Sequence, residues 1–496
     1  DFYEGFFEDA ILFARELGLT LTHKDGGNLG KVPMAGIPVK SLNTYIPKLL
    51  QKNIKVAICE QLENPKEAKG LVKRDIVKTI TAGTITELNL LEPTGNNFLA
   101  AVINSNNVYG LAYTDISTGE FKVTKGSLEE ILSELARIKP AEVLAPTKKQ
   151  KLLPFQIVAD EKEDLPEEIT SIYPCTKMSA SAFAEDKAIN SIKQLFNVVS
   201  LESFGLEEFK PAFCAAGAII EYISETQKGI MPKFDVIKPY SISEYVSIDS
   251  HTRKNLELIE TSRDKSKYGS LYWALDKVHT PMGSRLLKSW IMQPVKSIGE
   301  IQKRQNAVEE LFNAPSQSTN LVNLLNKVSD IERLAVKLSN GSINPRDFLS
   351  MKDTFVLFPN FKSIFKIFQS EYLTGFTEKV DELVEFASVI NRTVDENASV
   401  TLKDGGIIKE NVNSDLDYYR SLLNGGEEWL KNYEAQQKEL TGIKNLRVGY
   451  NRNFGFFIEV TKSNINQVPM SYVRKQTLLN VERFMTEDLK KHEADV

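Results

Sequence analysis

The stretch FLAAVINSNNVYGLAYTDISTGEFKVTKGSLEEILSELARI, residues 98–138, decides the fold class. Three short runs in it have the alternation of half-buried strands: Phe98–Ile103, Val108–Asp115 and Gly119–Val123. Asn-Asn and Ser-Thr-Gly turns separate these runs, and Leu128–Ile138 then has helical spacing. With a further strand at Glu142–Leu144 and helix signals up to about residue 240, this order predicts an α/β domain over residues 97–238.

The sequence before this domain predicts a smaller mixed α/β domain over residues 1–84. Apolar residues from Phe6 to Leu17 recur at helical spacing, and Gly18 ends the pattern. The other predicted elements are a strand at Leu19–Thr22, a helix at Ser41–Lys52, and strands at Lys55–Cys59 and Asp75–Thr81. Thr81–Asn97, which contains two glycines and a proline, predicts a linker to the next domain.

The sequence after residue 238 changes character, because strand signals nearly disappear. Residues 245–440 predict helices, with short breaks at Pro294, Pro315, Pro345 and Pro359. The length and charge of this region favour extended levers, and we expect a helical lever core over 239–408. Alternation at Leu446–Tyr450 and Phe456–Thr461 predicts a hairpin, and a helical pattern resumes near Lys475. We therefore expect a β-rich module with flanking helices over 409–484, and a returning helix over 485–496. The predicted fold class is multidomain, α/β plus all-α.

Composition restricts the class of protein. With 42% hydrophobic and 26% charged residues, the 496-residue chain predicts a globular protein of several domains. The longest apolar run, Ala212–Ile220, is far shorter than a membrane span. Three scattered cysteines and four histidines predict neither a disulfide framework nor a zinc cluster, and they suit the cytoplasm. The missing initiator Met and the uncapped C-terminal end lead us to expect a fragment.

Charge is unevenly distributed, although the net charge is only −5. Residues 441–484 carry seven basic residues against two acidic ones, whereas residues 404–440 carry eight acidic residues against four basic ones. The basic residues are Lys444, Arg447, Arg452, Lys462, Arg474, Lys475 and Arg483. Such a basic module, residues 441–484, is typical of a surface that contacts a polyanion, although a long chain also contains such a stretch by chance.

Catalytic patterns are weak. Asp115 ends a strand where a nuclease of the ribonuclease H class would need several acids around Mg²⁺. The nearby acids are Glu120, Glu129, Glu130 and Glu134, of which the last three repeat like a solvated helix face.

The stretch Gly26–Lys31 is one residue short of a phosphate loop and has Val32 in place of Ser or Thr, which favours a surface turn. We therefore predict no catalytic residue, no metal ligand and no cofactor site.

The first four residues suggest different chemistry. If Asp1–Glu4 is extended, Phe2 and Glu4 project on one face and Tyr3 on the other. An exposed Phe can enter a base step and unstack it, and an adjacent Glu can hydrogen-bond a base edge. The ordinary alternative is that Phe2 is a core residue and Glu4 a surface residue.

Short motifs occur in order along nearly the whole chain. Near the N-terminus these are Asp1–Glu4 with Phe6–Ala10, Pro33–Pro38 and Val56–Gln61. The helical region carries Ile248-Asp249, Thr252–Glu257, Thr280–Leu287, Asp330–Leu334 and Pro345–Asp347. The basic module carries Gly455–Ile458, Arg474–Leu478, Asn480, Glu482 and Arg483. Taken together and in this order, these motifs resemble those of the bacterial MutS family of mismatch-binding proteins.

The resemblance implies an architecture and roles for individual residues. It implies a mismatch-binding domain, a ribonuclease H-like connector without nuclease activity, a helical lever core and an inserted clamp. Phe2 would stack on a mispaired base and Glu4 would hydrogen-bond that base. A further set would hold the DNA backbone without reading sequence: Lys24, Lys40, Arg452, Arg474, Lys475 and Asn480.

The resemblance also implies partners. The ligand would be double-stranded DNA containing mismatches or small loops, bound during DNA repair in the cytoplasm, at the nucleoid. ATP and Mg²⁺ are expected only in a C-terminal ATPase domain whose Walker motifs this sequence lacks, so this chain should not hydrolyse ATP. A homodimer of the full-length protein and a MutL-type repair partner are expected, and no membrane.

Two departures from the family pattern lie near Phe2. Gly5 replaces the usual Leu or Met, which predicts a looser turn behind Phe2, and Val39-Lys40 replaces the usual Tyr-His. Three alternatives remain open: a MutS relative that binds recombination intermediates, a ribonuclease H-like nuclease, and a structural helical scaffold. The first typically lacks the Phe-x-Glu signature that is present here.

Overall fold

A computed structural model describes residues 2–63, 72–147, 164–228, 231–451 and 455–495. The chain forms two compact units, Asp1–Ser388 and Val389–Val496. The fold is mixed α/β with several separate sheets, as predicted at that level. Within the described residues, no helix combines the length and the apolar character needed to cross a membrane.

The N-terminal part of the first unit contains a three-stranded sheet and a hairpin. Its elements are β1 (Phe2–Phe6), α1 (Phe7–Leu17), β2 (Thr22–Asp25), β3 (Lys31–Pro38), α2 (Leu42–Leu50), β4 (Val56–Gln61) and β5 (Arg74–Ile80). The sheet has the order β1-β3-β2, and β4 pairs with β5 as a separate hairpin; all these pairs are antiparallel. The glycine-rich stretch forms a short turn between β2 and β3, as predicted.

The predicted strand at Leu19–Thr22 is wrong. Gly18 closes α1 in the left-handed conformation, with φ of 69°. The Leu19 N–H still donates to the carbonyl of Ala14, at 3.1 Å. The chain therefore becomes extended only at Thr22, where β2 begins.

Residues 97–238, for which the resemblance predicts a connector, contain a six-stranded mixed sheet. The elements of this region are β6 (Phe98–Ser105), β7 (Val108–Asp115), β8 (Glu120–Gly126), α3 (Leu128–Ile138), β9 (Glu142–Pro146), α4 (Glu167–Thr170), β10 (Cys175–Met178), α5 (Glu185–Phe196), α6 (Lys210–Thr226) and β11 (Lys238–Pro239). The strand order is β10-β9-β6-β7-β8-β11. The meander β6-β7-β8 is antiparallel, as predicted, while β9, β10 and β11 add parallel pairs.

Both faces of this sheet are covered. On one face, α5 and α6 pack over Leu99, Ala112 and Val123, and on the other α3 packs over Val102 and Leu111. Gly110 allows α6 to approach closely, because a Cβ there would lie 2.2 Å from the carbonyl carbon of Pro211. A capping box fixes the start of α3: the Ser127 side chain accepts from the Glu130 N–H, and the Glu130 carboxylate accepts from the Ser127 N–H.

The helical part of the first unit consists of short helices. They are α7 (Ser250–Asn255), α8 (Leu271–Leu275), α9 (Pro281–Met292), α10 (Ile298–Phe312), α11 (Pro315–Leu325), α12 (Ile331–Ser339), α13 (Pro345–Phe355), α14 (Phe358–Phe365), α15 (Glu371–Lys379) and α16 (Val384–Thr393), which runs into the second unit. The longest described helix here, α10, has 15 residues. Pro315, Pro345 and Pro359 stand in the first turns of helices, where a missing N–H costs little.

The second unit contains the long helix and the β module. Its remaining elements are α17 (Ser414–Thr441), β12 (Arg447–Asn451), β13 (Gly455–Thr461), β14 (Val473–Thr477), β15 (Val481–Met485) and α18 (Glu487–Asp495). Helix α17 has 28 residues, and the antiparallel sheet has the order β12-β13-β15-β14. The predicted hairpin is confirmed as β12 and β13. The helix expected near Lys475 is wrong: β14 is an edge strand, whose mostly exposed polar residues resemble a solvated helix face.

A buried carboxylate joins the N-terminal part of the first unit to the connector. Glu142, only 3% exposed, accepts hydrogen bonds from the hydroxyls of Thr81, Thr176 and Tyr222, at 2.5 to 2.7 Å, and from the Gly83 N–H at 3.1 Å. Lys55 completes the cluster, with its Nζ 3.4 Å from a carboxylate oxygen of Glu142. We call this cluster of Lys55, Thr81, Gly83, Glu142, Thr176 and Tyr222 the Glu142 hub. It holds the start of the predicted linker in place.

Two buried arginines hold the other end of that linker. Arg333 donates to the carbonyls of Glu92 and Gly95 at 3.1 and 2.7 Å, and Arg285 donates to the carbonyl of Pro93 at 2.9 Å. Arg285 also forms ion pairs with Asp330 and Glu332. The segment between the two sheets is therefore fixed at both ends, so it differs from a flexible linker.

We predict that Glu142→Gln weakens the Glu142 hub at neutral pH. Burial acts to raise the pKa of Glu142, but hydrogen bonds from Thr176, Thr81 and Tyr222 and the charge of Lys55 outweigh it, so the pKa is lowered. The stabilisation is therefore present above the ordinary carboxyl pKa of about 4.3 and is lost as the pH falls through the lower pKa of the folded protein. Hydrogen exchange of the Gly83 amide should be about tenfold faster in the variant at pH 7, because hydrogen bonds to charged acceptors are the stronger class.

The difference between wild type and variant should shrink as the pH is lowered below about 4. Glu129→Gln, at an exposed position of α3, is the control and should leave the exchange of Gly83 unchanged. A pH-independent difference would contradict the ionised state that we assign to Glu142.

Candidate nucleic-acid interface

Strand β1 presents Phe2 and Glu4 to solvent. Phe2 is 62% exposed, and Glu4 lies on the same face, while Tyr3 faces the other way and hydrogen-bonds Glu60. Antiparallel pairing with β3 places Glu4 opposite Gly36. A Cβ on Gly36 would lie 3.7 Å from both Glu4 Cγ and Phe2 Cδ1, so a glycine keeps the space between the two side chains open. The predicted placement of Phe2 and Glu4 on one exposed face is confirmed, and the core position for Phe2 is wrong.

Basic residues flank this face. Lys24 in β2 reaches over the sheet, with its Nζ 3.5 Å from Glu4 Oε2 and 5.4 Å from the ring centre of Phe6. Lys40 is exposed two residues after Pro38, which is the cross-strand neighbour of Phe2. A phosphate beside β1 would find Lys24 within reach, at the cost of its exposed ion pair with Glu4. That cost is small, because such exposed pairs contribute ~0–1 kcal/mol.

Gly5 is packed where the sequence predicted a looser turn. Gly5 is buried, and a Cβ there would lie 2.8 and 2.9 Å from two ring carbons of Phe13 in α1. The ring of Phe13 thus fills the space of the side chain that the family usually carries at this position. The strand that bears Phe2 is supported from behind, so the expectation of a loosened turn is wrong.

The basic module divides into paired and unpaired cations. Arg474 forms a two-contact ion pair with Glu482, and Arg483 pairs with Glu459 at 3.0 Å and lies 4.0 Å from the ring centre of Phe457. Both arginines therefore have acidic partners within the sheet. Arg474 stays 55% exposed along its side chain, so its outer edge remains accessible.

Lys475 is an exposed cation of the basic module. It is exposed on the edge strand β14, and within the described part of the chain it makes no ion pair. Asn480 lies in the turn between β14 and β15, where its carbonyl accepts from the Lys462 N–H at 3.1 Å and its side chain is exposed. Arg452, also assigned from the sequence, lies outside the described residues. Lys462 and Asn480 thus lie together beside the β14–β15 turn, and Lys475 lies on the edge strand β14.

The acids near Asp115 do not form a nuclease-like cluster. Asp115 is fully buried and accepts hydrogen bonds from Asn96 Nδ2, the Asn97 N–H, the Ser117 N–H and the Ser117 hydroxyl. One carboxylate oxygen is therefore bound by the turn after β7 and the other by the residues just before β6. Among the described residues, no group of three or more His, Cys, Asp and Glu side chains converges as metal ligands would.

Glu134 is buried, so it does not belong to the solvated face that the sequence predicted for α3. It is 4% exposed and pairs with Arg137 at 2.7 Å and with the Tyr240 hydroxyl at 2.5 Å. Burial acts to raise the pKa of Glu134, but the Arg137 guanidinium and the Tyr240 hydrogen bond lower it overall. Glu129 and Glu130 are exposed, as expected. Glu134 is therefore a buried structural acid.

Two functionally placed side chains were missed from the sequence, Tyr3 and Glu60, which meet behind Phe2. The alternation of β1 did place Tyr3 on the hidden face, and Glu60 belongs to the quoted motif Val56–Gln61. Their contact joins residues 57 positions apart, which no local pattern specifies.

Comparison with protein families gives three matches along the chain. Residues 1–89 match MutS domain I, residues 97–235 match MutS domain II, and residues 251–490 match MutS domain III. Similar curated proteins carry the name DNA mismatch repair protein MutS. One, from Thermosynechococcus vestitus, is 40% identical over 496 residues, which is 100% of this chain and 57% of that protein.

Two further relatives agree. The DNA mismatch repair protein MutS of Ruminiclostridium cellulolyticum is 41% identical over 503 residues, covering 100% of this chain and 56% of that protein. That of Clostridium perfringens is 40% identical over 501 residues, covering 99% of this chain and 53% of that protein. The chain thus spans slightly more than half the length of these relatives.

We predict that Gly5→Leu, which introduces one of the family's usual residues, destabilises the start of the chain. The new side chain would overlap the Phe13 ring, and overpacking of this kind costs about 1–3 kcal/mol. Hydrogen exchange across α1 should be faster in the variant, and the double variant Gly5→Leu/Phe13→Ala should recover most of the protection. Unchanged protection in the single variant would show that the ring of Phe13 moves aside freely.

Proposed function

The chain belongs to the MutS family, and on that premise we propose that it recognises mispaired or unpaired bases in duplex DNA. The observation that carries the proposal is the exposed pair Phe2 and Glu4 on one face of β1, with Lys24 beside it. Phe2 is a large aromatic side chain, 62% exposed, next to a carboxylate. This pair has the shape of a wedge with a hydrogen-bonding neighbour.

The proposed mechanism tests the deformability of DNA rather than its sequence. Exposed cations such as Lys24, Lys40, Lys475 and, where accessible, Arg474 hold phosphates, with Asn480 as a neutral neighbour. Phe2 then enters a base step and unstacks it. A mispair opens at lower cost than a paired base, so the bent complex forms preferentially there.

Glu4 supplies the second part of the proposed recognition. A carboxylate next to phosphates is repelled, so its place beside Phe2 is favourable only if it hydrogen-bonds the displaced base. In the free protein Glu4 is paired with Lys24, whose Nζ lies 3.5 Å from Glu4 Oε2. When Lys24 moves to a phosphate, Glu4 is released for the base.

The domain roles follow the same proposal. We assign mismatch binding to residues 1–84, a ribonuclease H-like connector without nuclease activity to 97–238, a helical lever core to 239–408, a clamp to 409–484 and the start of a returning lever helix to 485–496. The committed hydrogen bonds of Asp115 support a connector without nuclease chemistry. The four-stranded sheet carrying Lys475 supports the clamp.

Further partners belong to the proposal through the family relationship alone. ATP with Mg²⁺ would bind in an ATPase domain outside this sequence, and this chain would not hydrolyse ATP. The full-length protein would act as a homodimer, with a MutL-type repair partner, at the nucleoid. If the chain shows no preference for mismatches, we would assign it instead to the MutS relatives that bind recombination intermediates.

The role of Phe2 can be tested by substitution. Phe2→Ala should weaken binding to a duplex with one G·T mismatch by about 10- to 100-fold, because base–aromatic stacking contributes about 1–3 kcal/mol. Binding to the fully paired twin should change little. Competition binding at fixed salt measures both affinities. Phe7→Ala, which removes an equally exposed ring five residues away, is the matched control and should leave both unchanged. An equal loss on both duplexes for Phe2→Ala would defeat the wedge assignment.

The role of Lys475 in the proposed clamp can be tested in the same way. Lys475→Ala should weaken binding to mismatched and paired DNA alike, and should reduce the slope of log affinity against log salt by about 0.9, the contribution of one phosphate contact. The control is Lys431→Ala, an exposed lysine on the acidic part of α17, which should leave the slope unchanged. A slope that is unaltered by Lys475→Ala would remove Lys475 from the DNA interface.

A further inference from the structure

Strand β1 is an edge strand, so backbone hydrogen bonds hold it from one side only. Its first residue, Phe2, stands opposite Pro38 in β3. Pro38 is the last residue of β3, so the pairing between β1 and β3 ends at Phe2. The end of β1 that carries Phe2 therefore has no further backbone partner in this sheet.

The side chain of Tyr3 compensates from the opposite face. Its hydroxyl donates a hydrogen bond to Glu60 Oε1 in β4, which belongs to the separate β4–β5 hairpin. Burial, the hydrogen bond and the charge of Glu60 raise the pKa of Tyr3 to about 12, so the hydroxyl stays protonated and able to donate at neutral pH. A hydrogen bond to an ionised acceptor is among the stronger ones in proteins.

Tyr3 lies between the two residues proposed to touch DNA. Successive residues of a strand point to opposite faces, so a rotation of β1 about its axis would swing Phe2 and Glu4 together as Tyr3 moves. The Tyr3–Glu60 hydrogen bond opposes this rotation by tying β1 to a second sheet. The ring of Phe13 packs against Gly5 and so supports that part of β1. The end of β1 that carries Phe2 is supported by Tyr3 instead.

We propose that Tyr3 and Glu60 form a positioning pair that sets the direction of Phe2 and Glu4 before DNA binds, and thereby contributes to mismatch discrimination. This inference rests on the proposed function. An oriented side chain loses less conformational freedom on insertion than a mobile one, so the pair favours the inserted state. It touches no DNA itself, and its effect appears only where Phe2 is inserted.

The test compares four variants by competition binding with the G·T duplex and its paired twin. Tyr3→Phe keeps the ring and removes the hydroxyl, and should lower mismatch affinity by about tenfold, the equivalent of one charge-assisted hydrogen bond. Affinity for the paired duplex should stay nearly unchanged. Glu60→Ala should reproduce this loss, and Tyr3→Phe/Glu60→Ala should be no worse than either single change. Glu60→Gln retains an acceptor oxygen and should restore much of the discrimination.

Two controls separate positioning from general stability. Tyr472→Phe removes another buried tyrosine hydrogen bond, to Gln437 Oε1 in the second unit, and should leave the ratio of mismatched to paired affinity unchanged. A fluorescent 2-aminopurine beside the mismatch should report less unstacking at saturation with Tyr3→Phe than with wild type. That optical signal would not change if Tyr3 served only the stability of the fold.

The outcomes distinguish this inference from the proposed function. A mismatch preference in the wild type that Tyr3→Phe leaves intact would overturn the positioning role alone. Equal losses on both duplexes would also overturn it, by assigning Tyr3 to stability. No preference in the wild type would overturn the proposed function and this inference with it.

Discussion

The buried carboxylate of Glu142 is the constraint on which the arrangement of the first unit depends. A charge taken out of water is tolerated only with partners, and Glu142 finds them in Lys55, Thr81, Thr176, Tyr222 and the Gly83 N–H. Lys55, Thr81 and Gly83 come from the N-terminal part, whereas Thr176 and Tyr222 come from the connector. The β4–β5 hairpin is therefore attached to a covered six-stranded sheet by a polar cluster. Arg285 and Arg333 fix the far end of the same linker, so the whole path from β5 to β6 is held.

The charged residues of this protein fall into two groups: those paired with an opposite charge inside the fold, and those exposed to solvent. Glu134 with Arg137, Arg285 with Asp330, and Arg474 with Glu482 are engaged with one another, and in each pair at least one member is nearly enclosed. Lys40 and Lys475 are exposed, and Lys24 holds only an exposed ion pair with Glu4. A net charge of −5 is therefore compatible with DNA binding, because the engaged acids do not reach a phosphate. The proposed function rests on these available cations and on the exposed ring of Phe2.

Local patterns in the sequence predicted much of the fold and of the candidate site. The alternation of Val108–Asp115 and the helical spacing of Leu128–Ile138 correspond to β7 and α3 at the same residues, and the Phe2/Glu4 face follows from the period of a strand. The errors arose where tertiary context decides. The left-handed Gly18 delayed β2, the exposed edge position of β14 gave Val473–Thr477 a helix-like polarity, and α3 buried Glu134 because Arg137 and Tyr240 neutralise it. The hydrogen bond between Tyr3 and Glu60 and the Glu142 hub join distant residues, so no short pattern contains them.

The central claim is that stacking by Phe2 provides the preference for a mismatch, while exposed cations provide affinity for any duplex. Its most direct test measures the affinity of the wild-type protein for a G·T duplex and for its paired twin over a series of salt concentrations. The account predicts that both affinities fall steeply with salt while their ratio stays constant and well above one, because counterion release affects both duplexes alike and stacking does not depend on salt. A ratio of one throughout, or a preference that disappears as salt rises, would contradict the account.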